Sequence, residues 1–172
     1  AATARFNNEM RALTKIGQHP GVVKLYSRDT TPRGDAAMFM EYVDGGTLAQ
    51  AIRNRAETGT GFSVAEVVYY LRPIAAALDY MHHELSPGWV HRDLKPANVL
   101  LRRNPGSLAP AVLSDFGISI QEGQSRMTKI GHIVGTEKYA APENNGQAYG
   151  DDDLSARADD YSFCLLYTSD AA

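Results

Sequence analysis

Asp93, Lys95 and Asn98 share one short stretch, HRDLKPANVLL at residues 91–101, and their types and spacing could do chemistry. A hydrolytic or transfer reaction at a hydroxyl needs an acceptor for the incoming proton, a cation near the migrating charge and an oxygen ligand for a metal. Asp93, Lys95 and Asn98 offer those three in order. A lone aspartate is most often a solvated loop residue, but all three behind the pair His91-Arg92 form a far more specific pattern. A second acidic motif, Asp115-Phe116-Gly117, comes seventeen residues after Asn98. It follows a short apolar strand, so a hairpin would bring the oxygens of Asn98 and Asp115 to the same end, where they could clamp a hard cation.

Composition bounds what can surround such a site. The chain has 172 residues, enough for one ordinary domain with a core, and its 44% hydrophobic and 22% charged content is that of a globular protein. A net charge of −3 gives no sign of attraction to nucleic acid or to a membrane surface. The single cysteine excludes an intrachain disulfide and a cysteine-rich zinc site, which suits a reducing compartment. No apolar run of membrane-spanning length, leader pattern or internal repeat is present.

The elements that would position the site can be read in order. Phe6, Met10, Leu13 and Ile16 trace one helical face over residues 5–17, ended by Gly17 and Pro20. Val22–Tyr26 and Ala36–Tyr42 read as strands separated by the turn-rich TTPRGD. Thr47–Arg55 reads as a short helix and ETGTG, residues 57–61, as a flexible linker. Ser63 with Glu66 is a capping box opening a long helix. Its stripe is Val64, Val67, Val68, Leu71, Ile74, Leu78 and Met81, and Pro73 inside it should kink the helix or cost ~3 kcal/mol. His82 and His83 read as surface or packing residues rather than metal ligands, having no partner at ligand spacing. RRNPGSLAP is a polar turn, Ala111–Leu113 a short strand, and residues 118–134 and 144–157 are polar and irregular.

These motifs, over residues 5–163 and in this order, resemble the catalytic domain of protein kinases. LKPxN and GTxxYxAPE look like the serine/threonine class, and VHRDLKPANVLL has a bacterial flavour. The resemblance implies an α+β, two-lobed fold. Residues 1–42 would be the remainder of an incomplete small lobe, 43–46 the hinge and 47–163 part of the helical large lobe. FNNEMRALTKIG would be kinase helix C, Ser63–Met81 helix E and ADDYSF the start of helix F. The glycine-rich loop, and the small-lobe lysine that Glu9 would pair with, are expected upstream of residue 1. Met40 would be the gatekeeper behind adenine, Glu41 and Val43 would bond its edge through their backbones, and Leu100 would pack beneath it.

By the same resemblance Asp93 orients the substrate hydroxyl and accepts its proton, while Lys95 stabilises the transferring γ-phosphoryl group of ATP. Asn98 and Asp115 hold magnesium (Mg2+), and Thr136 bridges Asp93 and Lys95. His91, Phe116, Leu13 and Leu25 form an apolar spine between the lobes. Arg92 meets a phosphate on the activation segment, with Thr128, or less favourably Ser125, as the phosphosite. Asp159 holds the catalytic-loop backbone. The implied partner is a protein presenting a serine or threonine, with no nucleic acid and no membrane insertion by this segment. The implied compartment is the cytoplasm, with tethering possible through other regions. The rival reading is a pseudokinase scaffold, which the small-lobe lysine would decide. Residues 164–172, CLLYTSDAA, look like the in-frame translation of a sequencing-library adapter, so the match to a kinase stops at Phe163. A chain without the glycine-rich loop and that lysine is expected to be inactive by itself.

Overall fold

The computed structural model describes residues 14–34, 36–85, 88–115, 120–121, 139, 141 and 156–170. Its elements are strands β1 (Leu25–Thr30) and β2 (Ala36–Met40), helices α1 (Leu48–Glu57) and α2 (Val64–Asp79), and strand β3 (Trp89–Val90). Strands β4 (Val99–Leu101), β5 (Ala111–Leu113) and β6 (Ile120–Gln121) and helix α3 (Arg157–Asp170) follow. This mixture of helices with few strands fits the expected α+β, partly two-lobed kinase architecture. Among the described residues, no helix is long and apolar enough to cross a membrane.

Both expected helices begin with a reciprocal cap. The Thr47 hydroxyl accepts from the Gln50 N–H at 3.1 Å, while Gln50 Oε1 accepts from the Thr47 N–H at 2.9 Å. Ser63 and Glu66 repeat the arrangement at the start of α2. The segment expected as a flexible linker is tied down. Arg55 donates to the Gly61 carbonyl at 2.9 Å, pairs with both Glu66 oxygens at 3.1 and 2.5 Å, and lies 4.0 Å over the Phe62 ring. Hydrogen bonds from Arg55, then from Ser63, hold the Glu66 carboxyl down to about 2.

Helix α2 buries Val67, Leu71, Ile74, Ala77 and Leu78, and Met81 continues that face in a π-helical turn at Tyr80–Glu84. Two members of the expected stripe face outward. Val68 lies one residue, or about 100°, around the helix from Val67. Val64 falls on the right line but in the first turn, where Ser63 and Ala65 are exposed too. Pro73 does not end the helix, which is continuous from Val64 to Asp79. Its carbonyl lies so close to Gly21 that a Cβ there would collide with it.

The hairpin β4–β5 is the organising piece of sheet, in register Val99↔Leu113, Leu100↔Val112 and Leu101↔Ala111. Each edge is closed by a distant segment. Gly45 donates to the Leu101 carbonyl at 2.8 Å, and Leu101 donates to the Gly46 carbonyl at 2.9 Å. On the other edge Leu113 donates to Gly21 at 2.8 Å and Val23 donates to Leu113 at 2.9 Å. Gly45 must be glycine, because a Cβ would strike the Leu101 carbonyl.

This pairing corrects the expected strand at Val22–Tyr26. The apolar run is split: Val22 and Val23 are buried against β5, whereas β1 starts at Leu25 and continues to Thr30 through the polar Ser27-Arg28-Asp29. Tyr26 is the extra residue of a bulge between the pairs Leu25↔Met40 and Ser27↔Phe39. The second strand likewise stops at Met40, not Tyr42. Residues 118–134, expected to be irregular, include β6, which pairs with β3 as Trp89↔Gln121 and Val90↔Ile120.

The core joins all these pieces. Ile16, Leu48, Ile74, Met81, Leu94, Val99, Leu113 and Leu166 are essentially inaccessible and belong to one cluster. Each such side chain contributes about 1.5–3 kcal/mol on burial. Helix α3 runs through residues 164–170, and Leu166 within it is part of that core.

Candidate active site

The site is built around a fully buried carboxylate, Asp159, in the first turn of α3. Its Oδ2 accepts from the His91 N–H at 2.7 Å and its Oδ1 from the Arg92 N–H, also at 2.7 Å. His82 Nε2 lies 2.8 Å from Oδ2, and its side chain is nearly inaccessible. One aspartate thus gathers the π-helical turn after α2 and the two residues that lead into the Asp93–Asn98 loop. Arg92 takes a positive φ of 69°, a conformation that costs a non-glycine residue roughly 1–2 kcal/mol and persists where its surroundings impose it. The bond from its N–H to Asp159 is one such restraint. Ser162, one turn further along α3, donates to the Tyr139 carbonyl at 2.7 Å and anchors that residue to the same helix.

His91 extends the network toward the hairpin. Its Nδ1 accepts from the Asp93 N–H at 3.3 Å, so Nε2, 3.1 Å from the Ser114 carbonyl, carries the proton of the neutral ring. The imidazole therefore ties the start of the loop to the residue before Asp115.

The three chemistry-bearing side chains come together at the loop's end. Lys95 Nζ donates to Asp93 Oδ2 at 2.6 Å. Asn98 Nδ2 donates to the Asp93 carbonyl at 2.8 Å and to its Oδ2 at 3.1 Å. Those bonds fix the Asn98 amide with Oδ1 turned away from Asp93. No described donor takes Oδ1. Asn98 itself lies in a 3-10 turn, Pro96–Asn98, directly before β4. Its carbonyl accepts from the Ser114 N–H at 2.8 Å and the Ser114 hydroxyl at 3.0 Å. Asp115 follows, exposed and at φ 61°, so the hairpin does bring Asn98 and Asp115 to one end. An amide oxygen and a carboxylate are hard ligands of the kind magnesium prefers.

The segment expected as the hinge, and the residues expected around adenine, are described in part. Met40 closes β2 and is 45% exposed, Val43 and Leu100 pack partly buried against the core, and Leu25 does the same. Leu100 bridges Thr47 across the edge of β4. Among the described residues, no group bonds the Glu41 carbonyl or the Val43 N–H. Glu9 and Leu13, Phe116, Thr136 and the hydroxyls Ser125 and Thr128 lie outside the described residues.

Two contacts were not legible in the sequence. The His82–Asp159 bond spans 77 residues, and no local signal marks it. The second is an ion pair of 2.5 Å between Glu41 and Arg102, the latter within what reads as a polar turn.

A model of the protein kinase domain family matches residues 1–169. The serine/threonine-protein kinase PknJ of Mycobacterium tuberculosis is 37% identical over 166 residues, covering 95% of this chain and 26% of that protein. Pkn1 of Myxococcus xanthus is 37% identical over 142 residues, 82% of this chain and 19% of that protein. PknF of Mycobacterium tuberculosis is 35% identical over 161 residues, 92% and 31% respectively. The chain spans about a quarter of the length of these curated relatives. A family match over nearly the whole chain accounts for the loop, the hairpin and the buried aspartate together, and the chain belongs to the protein kinase domain family.

Proposed function

We propose that the intact protein transfers the γ-phosphoryl group of ATP to serine or threonine hydroxyls of protein substrates. The observation that carries this reading is the Asp93 carboxylate, held by Lys95 and Asn98 on a loop whose backbone is anchored by Asp159. Asp93 Oδ1 takes no described donor, which leaves it to orient an incoming hydroxyl and receive its proton. Lys95, paired with Asp93, would supply the cation for the charge that develops on the migrating phosphoryl group. Asn98 Oδ1 and Asp115 would hold magnesium, which supplies neutralisation of phosphate charge when bound. The open Glu41 carbonyl and Val43 N–H offer the acceptor and donor that an adenine edge needs. Serine/threonine specificity draws its support from Lys95 and from the similarity to serine/threonine-protein kinases.

The glycine-rich loop and small-lobe lysine that the family uses are not among these 172 residues, so the chain alone is expected to transfer little phosphate. The family match runs past Phe163 to residue 169, and Leu166 is buried in the core. The reading of residues 164–172 as adapter-derived therefore rests on their sequence alone. Sequencing the source locus through Phe163 decides it, since the same CLLYTSDAA in the genome overturns it. In the intact protein, Asp93→Asn should lower ATP-dependent labelling of a mixed protein substrate by about 10²–10⁴-fold. Retention of activity would remove Asp93 from the chemistry.

A further inference from the structure

Three consecutive residues at the end of β4 hold three positions in or just before the expected hinge. Leu101 takes the Gly45 N–H, the Arg102 guanidinium takes the Glu41 carboxylate, and the Arg103 N–H donates to Asp44 Oδ1 at 3.0 Å. Of these, Arg102 is the one whose side chain makes the link. Its backbone N–H donates to the Pro110 carbonyl at 2.8 Å, and its second guanidinium nitrogen donates to the Ala109 carbonyl at 2.6 Å. The remaining arm reaches Glu41 at 2.5 Å across 61 residues of sequence. The side chains are only 11% and 18% exposed. The second Glu41 oxygen sits 3.4 Å from the Lys24 N–H, and the Glu41 N–H donates to the Lys24 carbonyl at 2.8 Å. Glu41 is thus fastened by its N–H and both carboxylate oxygens, while no described group bonds its carbonyl.

We infer that Arg102 is a positioning residue for nucleotide: its guanidinium clamps the Glu41 carboxylate to the large-lobe hairpin and so fixes the hinge edge against which adenine would lie. This rests on the reading of that edge as the adenine site. A mostly buried carboxylate that loses its cation must seek water, and the hinge strand must turn for it to do so. Neither partner touches Asp93, Lys95 or Asn98 in any described bond, so the consequence falls on nucleotide binding and not on the chemical step. The guanidinium also serves two acceptors in one plane, the Glu41 carboxylate and the Ala109 carbonyl, which a lysine ammonium on a flexible stem reproduces only in part.

The test uses the intact protein with Arg102→Ala, Arg102→Lys, Glu41→Gln and the double variant Glu41→Gln/Arg102→Ala. Two readouts are taken: KM for ATP against kcat, and hydrogen–deuterium exchange at residues 41–46 without nucleotide. Arg102→Ala should raise KM for ATP about tenfold with kcat changed less than about twofold, and Arg102→Lys should recover part of that loss. Glu41→Gln should raise KM similarly, and the double variant should be no worse than Arg102→Ala alone. Exchange at 41–46 should quicken in the same variants. An unchanged KM, a fall in kcat alone, or additive penalties in an ATP-binding protein would overturn the inference and leave the proposed function standing. A wild-type protein that binds no ATP, with exchange still quickened in the variants, would sink the adenine reading and reduce the clamp to a structural brace. Should Arg102→Ala fail to fold, Glu41→Gln carries the test alone.

Discussion

Two polar clusters in this chain do different work because their partners come from different distances. At the junction of α1 and α2, Arg55 meets Glu66, Gly61 and Phe62, all within eleven residues. Around Asp159, the partners His82, His91 and Arg92 are 67–77 residues away. The first cluster is partly exposed, and its Glu66 belongs to a helix cap, so it can form as soon as its own segment does. The second is buried and exists only when the π-helical turn, the loop and α3 have closed on one another. The lesson is that the local cluster stabilises, whereas the long-range one shapes the site.

The sharpest way to break this contrast is Asp159→Ala. It strips three donors of one buried acceptor and should cost about 3–5 kcal/mol in chemical denaturation of the intact protein. A loss under about 1 kcal/mol, the size of an exposed pair, would put the two clusters in one class. Two glycines sharpen the comparison next. Gly45→Ala drives a Cβ into the Leu101 carbonyl at the closed edge of the hairpin and should cost about 1–3 kcal/mol. Gly61→Ala, in the local cluster, has nothing near its Cβ and should stay within about 0.5 kcal/mol. Equal penalties would mean the hairpin edge yields as easily as a surface turn.

Smaller effects follow from titration. The Glu66 carboxyl is held at about 2, below its ordinary 4.5, so its contribution is full above pH 4.5 and is lost as pH falls through about 2. Thermal midpoints of wild type and Glu66→Gln should therefore differ at pH 5 and converge near pH 2; a constant gap would contradict this. The smallest effect belongs to His19. Burial pushes its pKa below the usual 6.5 against an opposing pull from Glu84. Its Nδ1 accepts from the Gly21 N–H at 3.1 Å, and its ring stacks 5.2 Å from Tyr80. The neutral form is the folded form, so its contribution is present above pH 6.5 and fades as pH falls through the lowered pKa. His19→Asn keeps an acceptor for Gly21 without titrating, and should flatten the stability profile between pH 7.5 and pH 5.5 relative to wild type.

The same division of range explains what was legible in the sequence. The Ser63–Glu66 box, the α2 stripe from Val67 to Met81 and the Asp93–Lys95–Asn98 spacing are local, and each is complete within a few turns of chain. The hairpin was legible as well, because Val99–Leu101 and Ala111–Leu113 are short apolar runs around a polar turn. What the sequence misplaces, or leaves without its partner, depends on groups the local chain does not contain. Val22 and Val23 look like the start of β1, yet β5 takes them. His82 looks like a surface or packing histidine, yet Asp159 claims it. Arg102 sits in a polar turn, and its guanidinium finds Glu41 only once residues 41–46 have folded along β4. Asp159 and its hold on the loop backbone are legible through its motif, but the His82 ring that joins them is not.

The most direct test of phosphoryl transfer is to incubate the intact protein with γ-labelled ATP, magnesium and a mixed protein substrate, and to identify the labelled amino acid beside an Asp93→Asn control. Magnesium-dependent label on serine or threonine, lost in the control while its thermal midpoint is retained, is the predicted result. No transfer by a folded wild type, label on tyrosine, or equal transfer by the control would contradict it.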